Sequence, residues 1–290
     1  MAQHGLYRVT SIGRPLDPRY PTNRAVQVLM PIAALVGGGV AWLGGVDAKG
    51  IAFAALGGLL VVFGCWALGR ELAPDDNPGA FIGMALAFAA FLLLDDTSVL
   101  LPFIALFLVR IVNRSTGLKA KLGDSILVWL LCVGAIYGLH SPLLGLVAAI
   151  AFVSDALLPD GLLRQWVFAG MSAAAAGFAL VLDPFGSIGL PEVTPTLVMS
   201  LGALSLAWLV NIAFTRSVAS VADIGGEPLS LGRVRAGMLI GWLVALQGLI
   251  ATEPGAHSGI LIWTTLTGLL FGRLSRALRS SDAAEDQKTQ

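Results

Sequence analysis

The side chains of this chain that could carry out chemistry lie in short polar stretches between long apolar runs. The stretch GRELAPDDNP, residues 69–78, contains Arg70, Glu71, Asp75 and Asp76. Mg²⁺ binds proteins through one or two carboxylates, together with substrate phosphates and water. The sequence therefore predicts that Glu71, Asp75 and Asp76 are metal-binding residues, with Mg²⁺ as the cofactor that such a set would favour.

A basic stretch, RIVNRSTGLKAKLGDS (110–125), supplies the opposite charge. Arg110, Asn113 and Arg114 are spaced i, i+3 and i+4, so they share one face at the end of a helix. Arginine binds phosphate oxygens through paired N–H donors. The predicted phosphate- or anion-binding residues are Arg70, Arg110, Asn113, Arg114, Lys119 and Lys121.

Two further groups are candidates. Asp155 and Asp160 form a second acidic group in the stretch 154–164. Asn211 and Gln247 are neutral polar residues within apolar runs. Polar residues in such runs often bond a neighbouring helix, so packing is the preferred interpretation of Asn211, and a dependence of transport on Asn211 and Gln247 would favour a carrier.

A purely structural interpretation competes with these sites. Arg70 would then be one of the basic residues that the positive-inside rule places on the cytoplasmic side. Asn77 would cap a helix that begins with Pro78. The basic residues of 110–121 would meet anionic lipid headgroups. For the longest polar stretch, 215–235, this structural interpretation is preferred.

The elements that must position these side chains are membrane helices. Of the 290 residues, 56% are hydrophobic and 12% are charged, and the mean hydropathy is +0.82. A soluble domain has about 25% charged residues, so this chain has too little charge to cover its surface in water. The sequence predicts an all-α, polytopic membrane protein. Its zero net charge indicates no nucleic-acid partner.

Ten apolar runs approach the length needed to cross a bilayer. The expected domains are a cytoplasmic segment 1–24, a helical domain 25–273 and a disordered cytoplasmic tail 274–290. The predicted helices are 25–46, 51–69, 78–94, 98–113, 125–139, 142–158, 163–182, 195–214, 233–251 and 258–273.

The basic residues predict the orientation of these helices. If the N-terminus lies inside, 17 of the 18 Lys and Arg residues fall in inside segments, and only Lys49 falls outside. Short loops with this bias follow the positive-inside rule. Both termini are therefore expected in the cytoplasm, with the chain embedded in the inner (plasma) membrane.

The order of polar loops is similar to that of membrane-embedded aromatic prenyltransferases. Those proteins have aspartate motifs after helices two and six and a Lys-Arg-x-Thr stretch after helix four. This chain has Asp75-Asp76, residues 113–116 and the pair Asp155 and Asp160 in the corresponding loops. However, the first loop lacks the Asn-Asp-x-x-Asp-x-x-x-Asp spacing, and the second pair is one residue longer than Asp-x-x-x-Asp. The chain is not assigned to that family.

The sequence is compatible with three functions. The first is binding of a phosphate-bearing lipid or isoprenoid at the cytoplasmic face, with a transferase-like activity. The second is a carrier of a small metabolite, built from two five-helix halves. The third is a non-catalytic membrane subunit that docks a cytoplasmic partner. Phosphate-loop, zinc-pair and nucleophile-elbow motifs are absent, and the sequence alone does not decide whether the protein is an enzyme.

Overall fold

The computed structural model describes residues 2–94, 97–182, 194–250 and 259–286. Within these ranges the fold is all-helical, with eleven helices and one isolated β-bridge between Val221 and Pro228. The helices are α1 (Ala2–Val9), α2 (Pro21–Leu43), α3 (Ala48–Leu72), α4 (Asn77–Leu93), α5 (Leu100–Asn113), α6 (Leu122–Gly138), α7 (Pro142–Leu157), α8 (Gln165–Leu182), α9 (Pro195–Phe214), α10 (Leu231–Ile250) and α11 (Ile260–Asp286).

Within the described residues, each of the ten predicted apolar segments lies on one of the helices α2 to α11. Residues 251 and 258, at the ends of the last two predicted segments, lie outside the described ranges. By length and composition, α2, α3, α8 and α9 are suited to cross a membrane. Helices α4 to α7 are also apolar but have only 14 to 17 residues. The all-helical prediction is confirmed, and the number of crossings stays a prediction.

Proline marks the start of several helices, as the sequence predicts. Pro142 and Pro195 are the first residues of α7 and α9, where the missing N–H of proline costs nothing. At α4 the cap is one residue earlier than expected. The carboxylate of Asp76, rather than Asn77, accepts a hydrogen bond from Gly79 N at 3.0 Å. Asp76 is thus a helix cap as well as a predicted metal ligand.

Two helical segments extend beyond the prediction. Helix α1 forms inside the polar segment 1–24, and α11 continues through Asp286, although the tail is expected to be disordered from residue 274. The continuation contains several alanine, leucine and arginine residues, which have high helix propensity. Residues 287–290 of the expected tail lie outside the described ranges.

Helices α4 and α11 pack through two facing G-x-x-x-G pairs. The pairs are Gly79 with Gly83 on α4, and Gly268 with Gly272 on α11. A Cβ on Gly268 would lie 2.1 Å from Gly83 N, and one on Gly272 would lie 2.5 Å from Gly79 Cα. Small residues let helix backbones approach closely in a membrane environment. This crossing also places Arg276, further along α11, 2.9 Å from the carboxylate of Asp76.

Helix α5 is the most important element for the position of the polar residues. It is buried along most of its length and contacts α3, α7 and α10. Its last turn carries Arg110 and Asn113, and Arg114 caps it in the left-handed conformation with φ 51°. Three polar side chains therefore lie at the centre of one end of the bundle.

The glycine crossing gives a first testable prediction. Replacing Gly268 with Leu forces a side chain into the backbone of α4, and overpacking of this kind typically costs 1–3 kcal/mol. We expect a clear fall in the melting temperature of the purified protein in detergent micelles.

The matched control is Gly202→Ala on α9, where a Cβ would meet nothing within 4 Å. Alanine is favoured over glycine within a helix by up to about 1 kcal/mol. The melting temperature of this variant should be unchanged or slightly higher. Equal melting temperatures for the two variants would contradict the close crossing.

Candidate functional site: a polar cavity at one end of the bundle

Polar segments that are distant in sequence meet at one end of the helical bundle. Hydrogen bonds connect the N-terminal segment to the end of α3, α3 to the end of α5, and α5 to the start of α10 through Asp155. Asp75 is bonded to the loop between α9 and α10. The segments that the positive-inside rule assigns to the same side therefore share one end of the fold.

Glu71 is the acceptor at the centre of this end, with only 1% of the residue exposed. Its Oε1 accepts hydrogen bonds from Arg14 Nη1 at 3.2 Å, Arg110 Nε at 3.0 Å and Ser115 Oγ at 3.0 Å. Its backbone carbonyl accepts one from Asn113 Nδ2 at 2.8 Å. The predicted metal ligand Glu71 is thus paired with two of the chain's own arginines.

Arg14 connects Glu71 to a second carboxylate. Its Nε and Nη2 donate to the two oxygens of Asp223 at 2.7 and 2.5 Å. Burial lowers the pKa of Arg14, but Glu71 and Asp223 outweigh it, so the pKa is raised and the guanidinium stays charged. Burial and then Asp223 raise the pKa of Tyr7, which remains a neutral donor to Asp223 at 3.3 Å.

The N-terminal segment is fixed to the start of α6. Asp124 accepts hydrogen bonds from Thr10 Oγ1 at 2.6 Å, Ser11 N at 2.7 Å and Ser11 Oγ at 2.5 Å. Thr116 Oγ1 donates to the carbonyl of Ser11 at 2.7 Å. Lys121, a predicted phosphate-binding residue, donates from Nζ to a carbonyl of α1 at 2.7 Å. Residues 7–14 are therefore a docked part of the fold.

A second buried carboxylate, Asp155, is fully enclosed. Its Oδ1 accepts from Arg114 Nε at 2.9 Å and Arg233 Nη1 at 2.8 Å, and its Oδ2 accepts from Gln165 Nε2 at 3.2 Å. Arg114 also donates to the carbonyl of Asp160 at 2.9 Å. These bonds connect α5, α7, α8 and α10, so Asp155 has a structural role in the fold.

Asp75 is also engaged by the chain itself. Its carboxylate accepts from Ala219 N and Ser220 N at 2.8 Å each and from Ser220 Oγ at 2.6 Å. Burial raises the pKa of Asp75, but these hydrogen bonds outweigh it, so the pKa is lowered. Among the described residues, no group of three or more His, Cys, Asp or Glu is placed to hold a metal ion. The structure does not bring Glu71, Asp75 and Asp76 together as such a group.

A cavity of about 630 Å³ lies between the N-terminal segment, α3 and the loop before α10. This volume is within the usual range for small-molecule sites. The charged residues of its lining are Arg14, Asp17, Arg70, Glu71, Arg110 and Asp223. The apolar residues of its lining include Leu16, Phe63, Trp66, Ala67 and Leu229.

Three lining residues carry buried polar atoms with no hydrogen-bond partner in the described part of the chain. These atoms are Trp66 Nε1, Arg70 Nε and Glu71 Oε2. The guanidinium of Arg70 lies 5.8 Å from the centre of the Trp66 ring, and its Nη1 donates to Thr22 Oγ1 at 3.3 Å. Buried polar atoms without partners are uncommon in proteins, and three of the nine in the described part of the chain belong to residues of this one cavity. A ligand there could supply the missing partners.

The remaining predicted residues lie outside this cavity. Lys119 forms an exposed ion pair with Asp160 at 3.6 Å. Asn211 accepts from Arg273 beside a second cavity of about 570 Å³, which Asp75 and Asp76 also line. Gln247 accepts from the hydroxyl of Ser141 near the other end of α10.

Sequence reasoning missed four contributors to the cavity: Tyr7, Arg14, Trp66 and Asp223. In the sequence, Arg14 is only one of the basic residues counted on the cytoplasmic side, and the stretch that holds Asp223 is interpreted as structural. The spacing of Trp66 and Arg70, i and i+4 on one helix, is a signal that could have pointed to the site. No local pattern could have paired Arg14 with Asp223, because these residues are 209 positions apart.

The docking of the N-terminal segment gives a second prediction. Asp124→Ala removes the acceptor of three hydrogen bonds from Thr10 and Ser11. We expect faster hydrogen exchange at the backbone amides of residues 10–14, measured by mass spectrometry. Asp160→Ala, which removes an exposed carboxylate, should leave that exchange unchanged. The docked arrangement is wrong if exchange in residues 10–14 is the same in both variants.

Asp75 gives a third prediction. Asp75→Ala should speed the exchange of the amides of Ala219 and Ser220, which lose their acceptor. Since the pKa of Asp75 is lowered in the folded chain, its stabilising contribution is present above its ordinary pKa and is lost as the pH falls through the lowered value. The effect of the substitution should accordingly be full at pH 7. Unaltered exchange at these two amides would show that the carboxylate does not hold the loop.

No protein-family model, curated protein or solved structure matches this chain.

Proposed function

We propose that this chain is a polytopic membrane protein that binds an amphiphilic molecule with an anionic, phosphate-type head group in the cavity beside Arg70. The observation that carries the proposal is the pair of buried, unpartnered donors, Trp66 Nε1 and Arg70 Nε, which belong to two residues that line that cavity. Both are hydrogen-bond donors only, so the group that completes them must supply acceptor oxygens.

The proposed orientation in the membrane rests on the difference between the two ends of the bundle. The segments rich in Arg and Lys meet at the end that holds the cavity, whereas Ser141 and Gln247 meet elsewhere. This arrangement supports ten crossings in the inner membrane with both termini cytoplasmic, as the distribution of basic residues predicts. The cavity then opens at the level of the cytoplasmic lipid headgroups.

The shape of the cavity favours an amphiphile. Phe63, Trp66 and Arg70 all lie on α3 and all line the cavity. From Phe63 to Arg70 a helix rises about 10 Å. The lining thus changes from aromatic to cationic over about the length of a lipid head group and the first carbons of its chain.

The charges of the cavity favour a ligand with one negative charge. Arg14 and Arg110 are paired with Glu71 and Asp223, and Asp17 is paired with Arg19 at 2.6 Å. Arg70 forms no salt bridge among the described residues. Glu71 and Asp223 attract Arg70 without a direct salt bridge and Arg14 repels it, so an anion in contact with Arg70 would stabilise this end of the fold.

The described residues of the cavity support binding rather than a metal-assisted reaction. A metal-assisted transfer needs free carboxylates, whereas Glu71, Asp223 and Asp17 are each engaged by arginine. The carrier and partner-docking alternatives have no comparable feature in the described residues, and neither is proposed. In this proposal Arg70 and Trp66 donate hydrogen bonds to the anion. Arg14 and Arg110 support the cavity wall.

The test uses the purified protein in lipid nanodiscs and native mass spectrometry. Bound phosphatidylglycerol is compared with bound phosphatidylcholine in the wild type and in Arg70→Ala. A hydrogen bond to a charged group contributes about 1.5–3 kcal/mol, so we expect Arg70→Ala to weaken phosphatidylglycerol binding by at least about tenfold. Trp66→Phe, which keeps an aromatic ring but removes the N–H, should cause a smaller loss.

The matched control is Lys119→Ala. It removes one positive charge from the same end of the bundle, but Lys119 is exposed and does not line the cavity. Binding should therefore be close to wild type. Equal losses in Arg70→Ala and Lys119→Ala would indicate general surface attraction and would refute a specific site.

A further inference from the structure

Only one of the two carboxylate oxygens of Glu71, Oε1, accepts hydrogen bonds from the described residues. All three side-chain donors that reach it, from Arg14, Arg110 and Ser115, bind Oε1. Oε2 is buried and accepts no hydrogen bond from the described residues. A carboxylate oxygen has two lone pairs, and leaving a buried one unsatisfied is costly. The chain therefore keeps an unused anionic acceptor at this position.

This acceptor belongs to the same end of α3 as the unused donors. Glu71 directly follows Arg70, and Trp66 lies one turn before Arg70 on the same face of the helix. All three residues line the same cavity. A ligand that completes all three buried atoms must carry acceptor oxygens and a hydrogen-bond donor.

The surroundings of Glu71 favour a hydroxyl donor over an ammonium donor. Arg14 Nη1 and Arg110 Nε lie 3.2 and 3.0 Å from the same carboxylate. An ammonium group would be repelled by both guanidiniums, whereas a neutral hydroxyl would not. A ligand with one anionic phosphate and a hydroxyl also balances the single surplus charge of Arg70, which a zwitterion would leave uncompensated.

We infer that the cavity selects a hydroxyl-bearing, singly charged phosphodiester, with the phosphate at Arg70 and Trp66 and the hydroxyl donating to Glu71 Oε2. This inference rests on the proposed function and specifies its ligand class. It makes Glu71 a specificity-determining residue as well as a structural one. A glycerol head group on a phosphodiester lipid has the required composition.

The decisive experiment compares ligands on the unaltered protein. Phosphatidylglycerol and phosphatidylethanol are both singly charged phosphodiesters, but only the first has head-group hydroxyls. With equal acyl chains, nanodisc-embedded wild-type protein should retain phosphatidylglycerol at least about tenfold more strongly in native mass spectrometry. Phosphatidylethanolamine, which offers an ammonium donor, should bind more weakly than phosphatidylglycerol. Equal retention of phosphatidylglycerol and phosphatidylethanol would overturn the inference.

The failure of this inference can be distinguished from the failure of the proposed function. If both anionic lipids bind equally and both are lost in Arg70→Ala, the anion site stands and the hydroxyl preference is wrong. If neither binds the wild type, both proposals are wrong. Competition by soluble glycerophosphoglycerol, which has the head group but no acyl chains, tests whether the ligand must be a lipid. Full displacement of lipid would support the head-group chemistry and would remove the requirement for an acyl chain.

A variant provides a second measurement. Glu71→Gln should reduce the preference for phosphatidylglycerol over phosphatidylethanol to about twofold or less, because a neutral amide is a weaker acceptor than a carboxylate. An undiminished preference in a folded Glu71→Gln protein would contradict the assigned role. If the variant fails to fold because Arg110 loses its counter-charge, the lipid series on the wild type decides the question.

Discussion

The buried carboxylate of Glu71 is the constraint on which the polar end of this bundle depends. A charge removed from water is strongly unfavourable unless it is paired and hydrogen-bonded. Glu71 meets that requirement through Arg14, Arg110 and Ser115, which come from the N-terminal segment, α5 and the turn that follows α5. Satisfying one carboxylate therefore fixes three separate parts of the chain, and the cavity is the space that remains between them.

The apolar part of the bundle is held together differently. Gly83 and Gly268 bring the backbones of α4 and α11 into direct contact, which needs no polar partner. At the polar end, ion pairs around Glu71 and Asp155 hold the helices together. These ion pairs join polar segments that are distant in sequence, and the cavity with polar walls lies at the same end of the fold.

The sequence predicted the helices well because the signal for each helix is local. Apolar runs near bilayer length mark α2 to α11, and Pro142 and Pro195 mark helix starts within one residue. The site was predicted only in part. Arg70, Glu71 and Arg110 were named and do line one cavity, and the metal-binding role of Glu71 stays a prediction. One of the two arginine partners of Glu71, Arg14, is 57 positions away, and no periodicity encodes that pairing.

Helix geometry explains why this site is left incomplete. Glu71 and Arg70 are opposite charges at adjacent positions, yet neighbouring side chains on a helix point about 100° apart and do not face each other. Glu71 turns its Oε1 towards Arg14 and Arg110, while Arg70 lies against Trp66 and Thr22. The same helical turn thus produces a satisfied structural carboxylate and, beside it, a cation without a carboxylate partner among the described residues. The pairing that satisfies Glu71 thus leaves Arg70 available for the proposed anion.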